Sequence, residues 1–314
     1  MSGGLGKSDG GGLADAIAQG ATQEIGGSSA GSEKTLAEGL AELDALVGLT
    51  EVKAQVRKLL ATQQANEVRR QANLPQIPMS LHLVFTGDAG TGKTTVARIV
   101  GSLYRSAQLL PTGSLVETDR SGLVAGYVGQ TAIKVTEMLN QADGGVLYID
   151  EAYSLFSGGS SDFGEEAVAT LVKGMEDRRN SLAVIVSGYE DEMQRFIDSN
   201  PGLRSRFQTF IHFPNYTAQE LLEIFQGLAA SYSIDVSPDV SAKLLHHFTT
   251  INAGGHRGNA RYVRGLFESM YAQMALAAAE DGVVETHELA QFTLAHLPAV
   301  EGDRVHTFGF GTGS

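Results

Sequence analysis

The stretch Leu81–Thr95, reading LHLVFTGDAGTGKTT, constrains this chain more than any other. Leu81-His82-Leu83-Val84-Phe85 is apolar enough to form a buried strand of a parallel sheet. Gly87, Gly90 and Gly92 follow, and Lys93-Thr94-Thr95 opens the amphipathic run Val96–Leu103. Residues 87–94 fit G-x-x-x-x-G-K-[ST] between a strand and a helix, where a phosphate-binding loop has to sit. In such a loop the backbone N–H groups of Asp88, Ala89, Gly90, Thr91 and Gly92 turn inward around a phosphate. The helix N-terminus at Thr94-Thr95 adds partial positive charge, Lys93 reaches the terminal phosphates, and the Thr94 hydroxyl ligates Mg²⁺. The alternative is a chance glycine-rich turn, and the strand-loop-helix context argues against it. The expected ligand is a nucleoside triphosphate.

At 314 residues the chain has room for two domains, and 42% hydrophobic content is ample for a core. With no cysteine, disulfides, thiolate metal sites and cysteine nucleophiles are excluded. No apolar run approaches the ~20 residues of a membrane span and none reads as a signal peptide, so a cytoplasmic location is expected. The net charge of −13 argues against a nucleic-acid partner, whose phosphates are met by Lys and Arg.

Residues 1–35 are rich in Gly, Ser and Ala and read as a disordered tail. Leu36, Leu40, Leu43 and Leu46 are spaced like one face of a helix, and a longer helix is expected from Thr50 as N-cap through Arg70. Beyond the phosphate loop, strands are expected at 115–118, 145–149, 182–186 and 209–213, alternating with helices. This pattern implies a parallel sheet covered on both faces, in an α/β nucleotide-binding domain spanning 36–215. From Thr217 the pattern turns to helices alone, at 218–232, 237–250, 259–280 and 287–296. Thr217, Ser237 and Thr286 serve as expected N-caps. The expectation is an all-helical second domain over 216–300, then a flexible tail at 301–314.

Four constellations carry chemistry. Asp150-Glu151 ends an apolar strand, where Asp150 can hold Mg²⁺ beside Thr94 and Glu151 can deprotonate an attacking water; two solvated loop carboxylates are the plain alternative. Arg204 and Arg206, in NPGLRSRF, can supply charge to phosphoryl oxygens of a neighbouring subunit, or simply decorate the surface. Arg261, in GNARYVR, can report nucleotide state from the second domain, or form a salt bridge there. Gly126-Tyr127-Val128-Gly129 sets an aromatic between glycines, a grip for another chain if exposed and a core residue if folded back.

Walker A at 87–94, Walker B at 146–151, the arginines at 204 and 206 and the GNAR run at 258–261 together resemble an AAA+ ATPase. More narrowly, LVGL, FTGDAGTGKTT, YVGQT, GGVLYIDEAYSL, SGY and NPGLRSRF resemble a subgroup. It holds red-type Rubisco activase, stage V sporulation protein K and the ATPase domain of type VII secretion systems. The resemblance covers Leu43 to Ala299. It implies a P-loop NTPase module with a five-stranded parallel sheet flanked by helices, a small helical lid, ATP with Mg²⁺, and a homo-oligomeric ring, usually of six. It also implies trans-acting arginine fingers at Arg204 and Arg206 and a sensor arginine at Arg261. Tyr127, Val128 and Gly129 become a pore loop gripping a protein client, and Val47 and Gly48 become contacts to adenine. The fourth strand ends Ser187-Gly188-Tyr189, where many AAA+ proteins carry Asn or Thr, so Ser187 is the expected phosphate-side sensor.

Three functions follow: a protein remodeller, a nucleic-acid motor, or a nucleotide-gated scaffold. The acidic balance and the aromatic loop oppose the second, and Glu151 with paired arginines opposes the third. Secretion ATPases of the subgroup carry a helical N-terminal extension not seen in this sequence, so the remodeller is expected over the secretion-associated ATPase.

Overall fold

In the computed structural model, residues 34–77, 79–127, 129–156, 163–255, 258–280 and 284–298 are described. The expected tails apart from Lys34 and Thr35, which caps helix Leu36–Ala45, most of the polar loop at 156–162, and Val128 lie outside them. The described chain divides between Asn215 and Tyr216 into two compact units, taken here one at a time.

The first unit is built on β1 (Leu83–Thr86), β2 (Leu115–Thr118), β3 (Val146–Ile149), β4 (Ala183–Gly188) and β5 (Thr209–His212). All pairings are parallel and the order is β2-β3-β4-β1-β5, so the strand leading into the phosphate loop is flanked by β4 and β5. Leu83 pairs with Ile185 on one side and Thr209 on the other, and Tyr148 pairs with Ile185. Every residue of β1, β3 and β4 is buried, as a sheet covered by helices on both faces requires. Val84, Leu147, Ile149, Val184 and Val186 form one core with Val135, Leu139, Val168, Leu171 and Phe196 of the surrounding helices. Each such side chain contributes roughly 1.5–3 kcal/mol by leaving water.

Strand ends differ from expectation in two instructive places. β1 starts at Leu83 rather than Leu81 because His82 turns its ring into the sheet, where Nδ1 accepts the Val184 N–H at 2.9 Å. β4 runs on to Gly188, so Ser187 lies inside the strand, opposite Phe85. Upstream, the expected N-cap at Thr50 is not one. Thr50 is already helical in Thr50–Gln71, and the cap position is Leu49 at φ 55°, with no side-chain capping bond. Lys53 ties that turn down instead, donating to the carbonyls of Asp44 and Leu46.

The second unit holds helices Ala218–Ser231, Pro238–Ala253 and Asn259–Ala278. Thr217 caps the first through a capping box with Glu220, and Ser237 caps the second ahead of Pro238. It is not all-helical. β6 (Asp235–Val236) pairs in parallel with β7 (Gln291–Phe292). The helix expected over 287–296 is two 3₁₀ turns, Thr286–Leu289 and Leu294–His296, on either side of β7, and Glu285 rather than Thr286 takes the cap. Phe292 is the reason. It is fully buried against Phe225 and Phe267, at ring distances of 5.8 and 5.4 Å, whereas Leu294 is 52% exposed, so this segment buries one aromatic rather than a helical stripe.

His82 makes the first unit sensitive to acid. Burial, helped by the Arg206 guanidinium, lowers its pKa from 6.5 to about 4. The folded state therefore holds the neutral ring, and the stability this gives is present above the unfolded value and lost as pH falls from about 6.5 through 4. His82→Asn keeps an acceptor for the Val184 N–H without a titrating ring. The fall in melting temperature between about pH 7 and about pH 5 should be smaller in that variant than in the parent; equal falls would refute the assignment.

Candidate functional site

β1 delivers the chain to Gly87 at φ 140°, and a Cβ there would stand 2.3 Å from the Phe213 carbonyl oxygen, so only glycine fits. Gly90 and Gly92 also take positive φ, 74° and 92°, and Gly92 precedes helix Lys93–Ser106. Thr91 is fully buried and its hydroxyl donates to the Asp88 carbonyl at 2.9 Å, bracing the loop from within. The Lys93 ammonium curls back onto the loop, donating to the carbonyls of Gly87 and Asp88 at 2.9 and 2.8 Å. A glycine-braced loop, a lysine inside it and the N–H groups of a helix start make up an anion cradle. A triphosphate fits it.

Four side chains form a hydroxyl chain beside the cradle. Thr94 Oγ1 donates to the Tyr148 hydroxyl at 3.3 Å, and Tyr148 donates to Asp150 Oδ1 at 3.3 Å. Ser187 Oγ donates to the same Asp150 oxygen at 2.5 Å. Burial, with the Asp150 charge, pushes the Tyr148 pKa far up, so the phenol stays protonated and remains a donor. The structure thus gathers Thr94, Asp150 and Ser187 around Tyr148 and Asp150 Oδ1. Tyr148 was missed. Its signal was available: on a strand, the residue two before Asp150 shares its face.

Glu151 is exposed and sits at φ 47°, an uncommon conformation for a residue with its side chain. The Tyr153 hydroxyl hydrogen-bonds its carboxylate, and burial followed by the Glu151 charge raises the Tyr153 pKa to about 12. The Tyr153 ring lies on Gly188 at the end of β4, where a Cβ would come within 2.7 Å of it. A cavity of about 580 Å³ opens beside the carboxylates, lined by Asp150, Glu151, Ser154, Arg120, Val124 and Gly126. It joins the acidic pair to the stem of the aromatic loop.

That stem is tied on both sides. The buried Thr131 hydroxyl accepts the Ala125 N–H at 3.1 Å, and the Lys134 ammonium donates to the carbonyls of Ser121 and Val124. Beyond it Tyr127 is 75% exposed, and a Cβ on Gly126 or Gly129 would meet nothing within 4 Å. Tyr127 is a surface residue, not a core one.

The arginines differ from each other. Both lie on helix Pro201–Arg206, whose N-cap Asn200 accepts from Gly202 and Leu203. Arg204 is exposed and pairs with Asp198 at 2.9 Å. Arg206 is half-buried, paired with Glu176 at 3.0 Å and bonded to the Gly202 carbonyl, and its buried Nε has no hydrogen-bond partner among the described residues. Val47 and Gly48 are half-buried in the turn between the first two described helices, with Gly48 at φ 60°. Arg261 is exposed near the start of helix Asn259–Ala278 in the second unit.

Residues 83–215 match the model of the ATPase family associated with various cellular activities (AAA), and residues 217–303 match the AAA lid domain. Stage V sporulation protein K of Bacillus subtilis is 39% identical over 238 residues, 75% of this chain and 74% of that protein. Protein CfxQ of Xanthobacter flavus is 38% identical over 253 residues, 80% of each chain. The ESX-1 secretion system protein EccA1 of Mycobacterium tuberculosis is 40% identical over 252 residues, and these make up 77% of this chain but only 44% of EccA1. Among solved structures, the AAA domain of FIGL-1 in complex with ADP superposes with a TM-score of 0.53 at 18% identity, covering 75% of this chain and 74% of that one. A RuvB mutant of Thermotoga maritima superposes at 0.51 and 20% identity, covering 79% and 70%. These two likenesses concern the fold.

Gly188 tests the packing at this site. Gly188→Ala would press a methyl group against the Tyr153 ring and Met193 sulfur, and should cost about 1–3 kcal/mol of stability in thermal melting. Tyr153→Phe, which keeps the ring and drops the hydroxyl, should stay within about 1 kcal/mol of the parent. Equal losses in the two would contradict the close packing.

Proposed function

The chain belongs to the AAA ATPase family, and from that premise we propose that it is a ring-forming remodeller of protein clients that pulls through Tyr127. It binds nucleotide and is an ATPase. The observation that carries the remodelling step is the Tyr127 loop: a 75% exposed aromatic between two unobstructed glycines on a hydrogen-bonded stem. An aromatic grips many sequences by shape and apolar contact, which suits a pulling loop. The acidic chain and the aromatic rather than basic loop at 126–129 speak against nucleic acid.

In this reading Lys93 exchanges the Gly87 and Asp88 carbonyls for the terminal phosphates of ATP. Thr94 and Asp150 would hold Mg²⁺, which would supply positive charge against the phosphoryl oxygens. Tyr148 and Ser187 fix the Asp150 carboxylate by donating to its Oδ1. Glu151 takes the proton of the attacking water once it leaves the Tyr153 hydroxyl. Val47 and Gly48 receive the adenine. Arg204 or Arg206 serves the nucleotide of a neighbouring subunit in a homo-oligomer, most simply a hexamer, and Arg261 senses hydrolysis from the lid. Arg206 would first have to leave Glu176. No helix among the described residues is long and apolar enough to cross a membrane, and we place the activity in the cytoplasm. A secretion-associated role, suggested by EccA1, would use the same machinery on a different client.

Glu151→Gln should bind ATP like the parent and lose about 10²–10⁴ in turnover. Arg204→Ala and Arg206→Ala, made singly, separate the two arginines, and a trans finger contributes about 10³–10⁵ in rate. Mixing the inactive arginine variant with Glu151→Gln subunits should recover activity at interfaces that pair an intact Glu151 with an intact arginine. Phosphate release that stays at zero through every ratio of confirmed mixed rings would rule out action in trans.

Tyr127→Ala should change melting by no more than about 0.5 kcal/mol, as at other surface positions, and keep basal ATPase activity. Stimulation by a client protein, captured on Glu151→Gln rings with ATP, should disappear. Undiminished stimulation would remove the threading role.

A further inference from the structure

The polypeptide leaves the first unit along a path anchored residue by residue to the phosphate loop. The Phe213 N–H donates to the Thr86 carbonyl at 2.7 Å, and the Phe213 carbonyl fills the space a Gly87 side chain would need. Its ring packs on Phe85 at 4.9 Å. Two residues later, Asn215 Nδ2 donates to Asp88 Oδ2 at 2.8 Å. The next residue is held within the second unit. The Tyr216 N–H donates to Asn259 Oδ1 at 3.0 Å, and its carbonyl accepts from Asn252 Nδ2 at 3.0 Å. Asn259 is buried at φ 48°, a left-handed conformation that Asn tolerates better than most residues. Both peptide groups of Tyr216 therefore move with the second unit, while the Asn215 side chain stays with the phosphate loop. The torsions of Asn215 therefore lie between the contact that holds its side chain to Asp88 and those that hold Tyr216.

We propose that Asn215 is a positioning residue of the ATPase, through which the conformation of the phosphate loop sets the torsions ahead of Tyr216. The relay begins at Asp88. Its carbonyl accepts from both Thr91 and Lys93, and its carboxylate accepts from Asn215. When Lys93 turns to phosphate, the Asp88 peptide loses a cation, and the resulting shift of Asp88 reaches the chain exit through Asn215. The relay rests on the reading of residues 87–94 as the nucleotide site.

The test uses the full chain and two readouts: titration with fluorescent ADP and Mg²⁺, and hydrogen–deuterium exchange of helix Asn259–Ala278 with and without that ligand. Exchange in the parent's helix should slow on ADP binding. Asn215→Ala should bind ADP about fivefold more weakly, the worth of one exposed hydrogen bond, and lose the ADP-dependent change in exchange while melting within about 2 °C of the parent. Asn215→Asp sets carboxylate against carboxylate and should be worse on both counts. Adding Asp88→Asn to it reverses donor and acceptor and should recover most of that loss. A purely structural Asn215 would lower the melting temperature without the selective loss of coupling, and the exchanged pair would not recover it; either result overturns the relay. Retention of the ADP-dependent change in Asn215→Ala overturns it too, leaving the nucleotide site intact. Failure of the parent to bind ADP would overturn the nucleotide-site reading and the relay together.

Discussion

The contact on which the site depends is the seating of Gly87 between β4 and the chain leaving β5. The Gly87 N–H donates to the Gly188 carbonyl at 3.1 Å, and the Thr86 carbonyl accepts the Phe213 N–H at 2.7 Å. The strand order makes this possible, because β1 has β4 on one side and β5 on the other. Crossing the C-terminal ends of a parallel sheet, the loop starts where β4 ends and where the chain departs for the second unit. Ligands in open α/β sheets gather at this edge for the same geometric reason. A side chain at position 87 would push away the Phe213 carbonyl and loosen both neighbours at once.

The same edge explains how a few hydroxyls organise the acidic pair. β3 and β4 are adjacent and parallel, so Asp150 comes off one strand beside Ser187 on the next, and Tyr148 points to the same side two residues earlier. Asp150 is held by donors that do not titrate at neutral pH, Ser187 because it is a hydroxyl and Tyr148 because burial keeps its proton on. Glu151 is held differently. Its backbone is in a left-handed conformation and its carboxylate meets the Tyr153 phenol, which rests on Gly188. One carboxylate is fixed by strand geometry and its neighbour by a strained turn, so the first is suited to a constant role and the second to one that changes.

Much of this could be read from the residues because their signals are local. The phosphate loop declares itself through glycine spacing between an apolar strand and a helix, and Thr217 and Ser237 through cap chemistry that needs only four residues. What stayed hidden depends on neighbours distant in sequence. Tyr148 looks like one more apolar strand residue until Thr94 and Asp150 are placed around its hydroxyl. Leu49 was overlooked as a cap because nothing in its side chain predicts a left-handed backbone, whereas Thr50 carries a capping hydroxyl that goes unused in that role. The extended segment at Gln291–Phe292 was misread as helical because its periodicity is ambiguous over a few residues. Burial of Phe292 between Phe225 and Phe267 decides it.

Lys93 shows why the loop and the chain exit have to be considered together. An ammonium inside a cradle of N–H groups would repel them, and here it donates to the carbonyls of Gly87 and Asp88. A phosphate reverses that preference, because it meets the ammonium and the N–H groups together. The Gly87 and Asp88 carbonyls then lose the cation that oriented them, and the same two residues meet the chain exit, Gly87 by its close fit to the Phe213 carbonyl and Asp88 by its carboxylate on Asn215. Binding at the loop thus changes the partners of the residues that anchor the exit, with no need for a long chain of intermediate contacts. Sequence proximity cannot reveal this, since Asp88 and Asn215 are 127 positions apart; the parallel sheet, by placing β1 beside β5, brings them within one hydrogen bond.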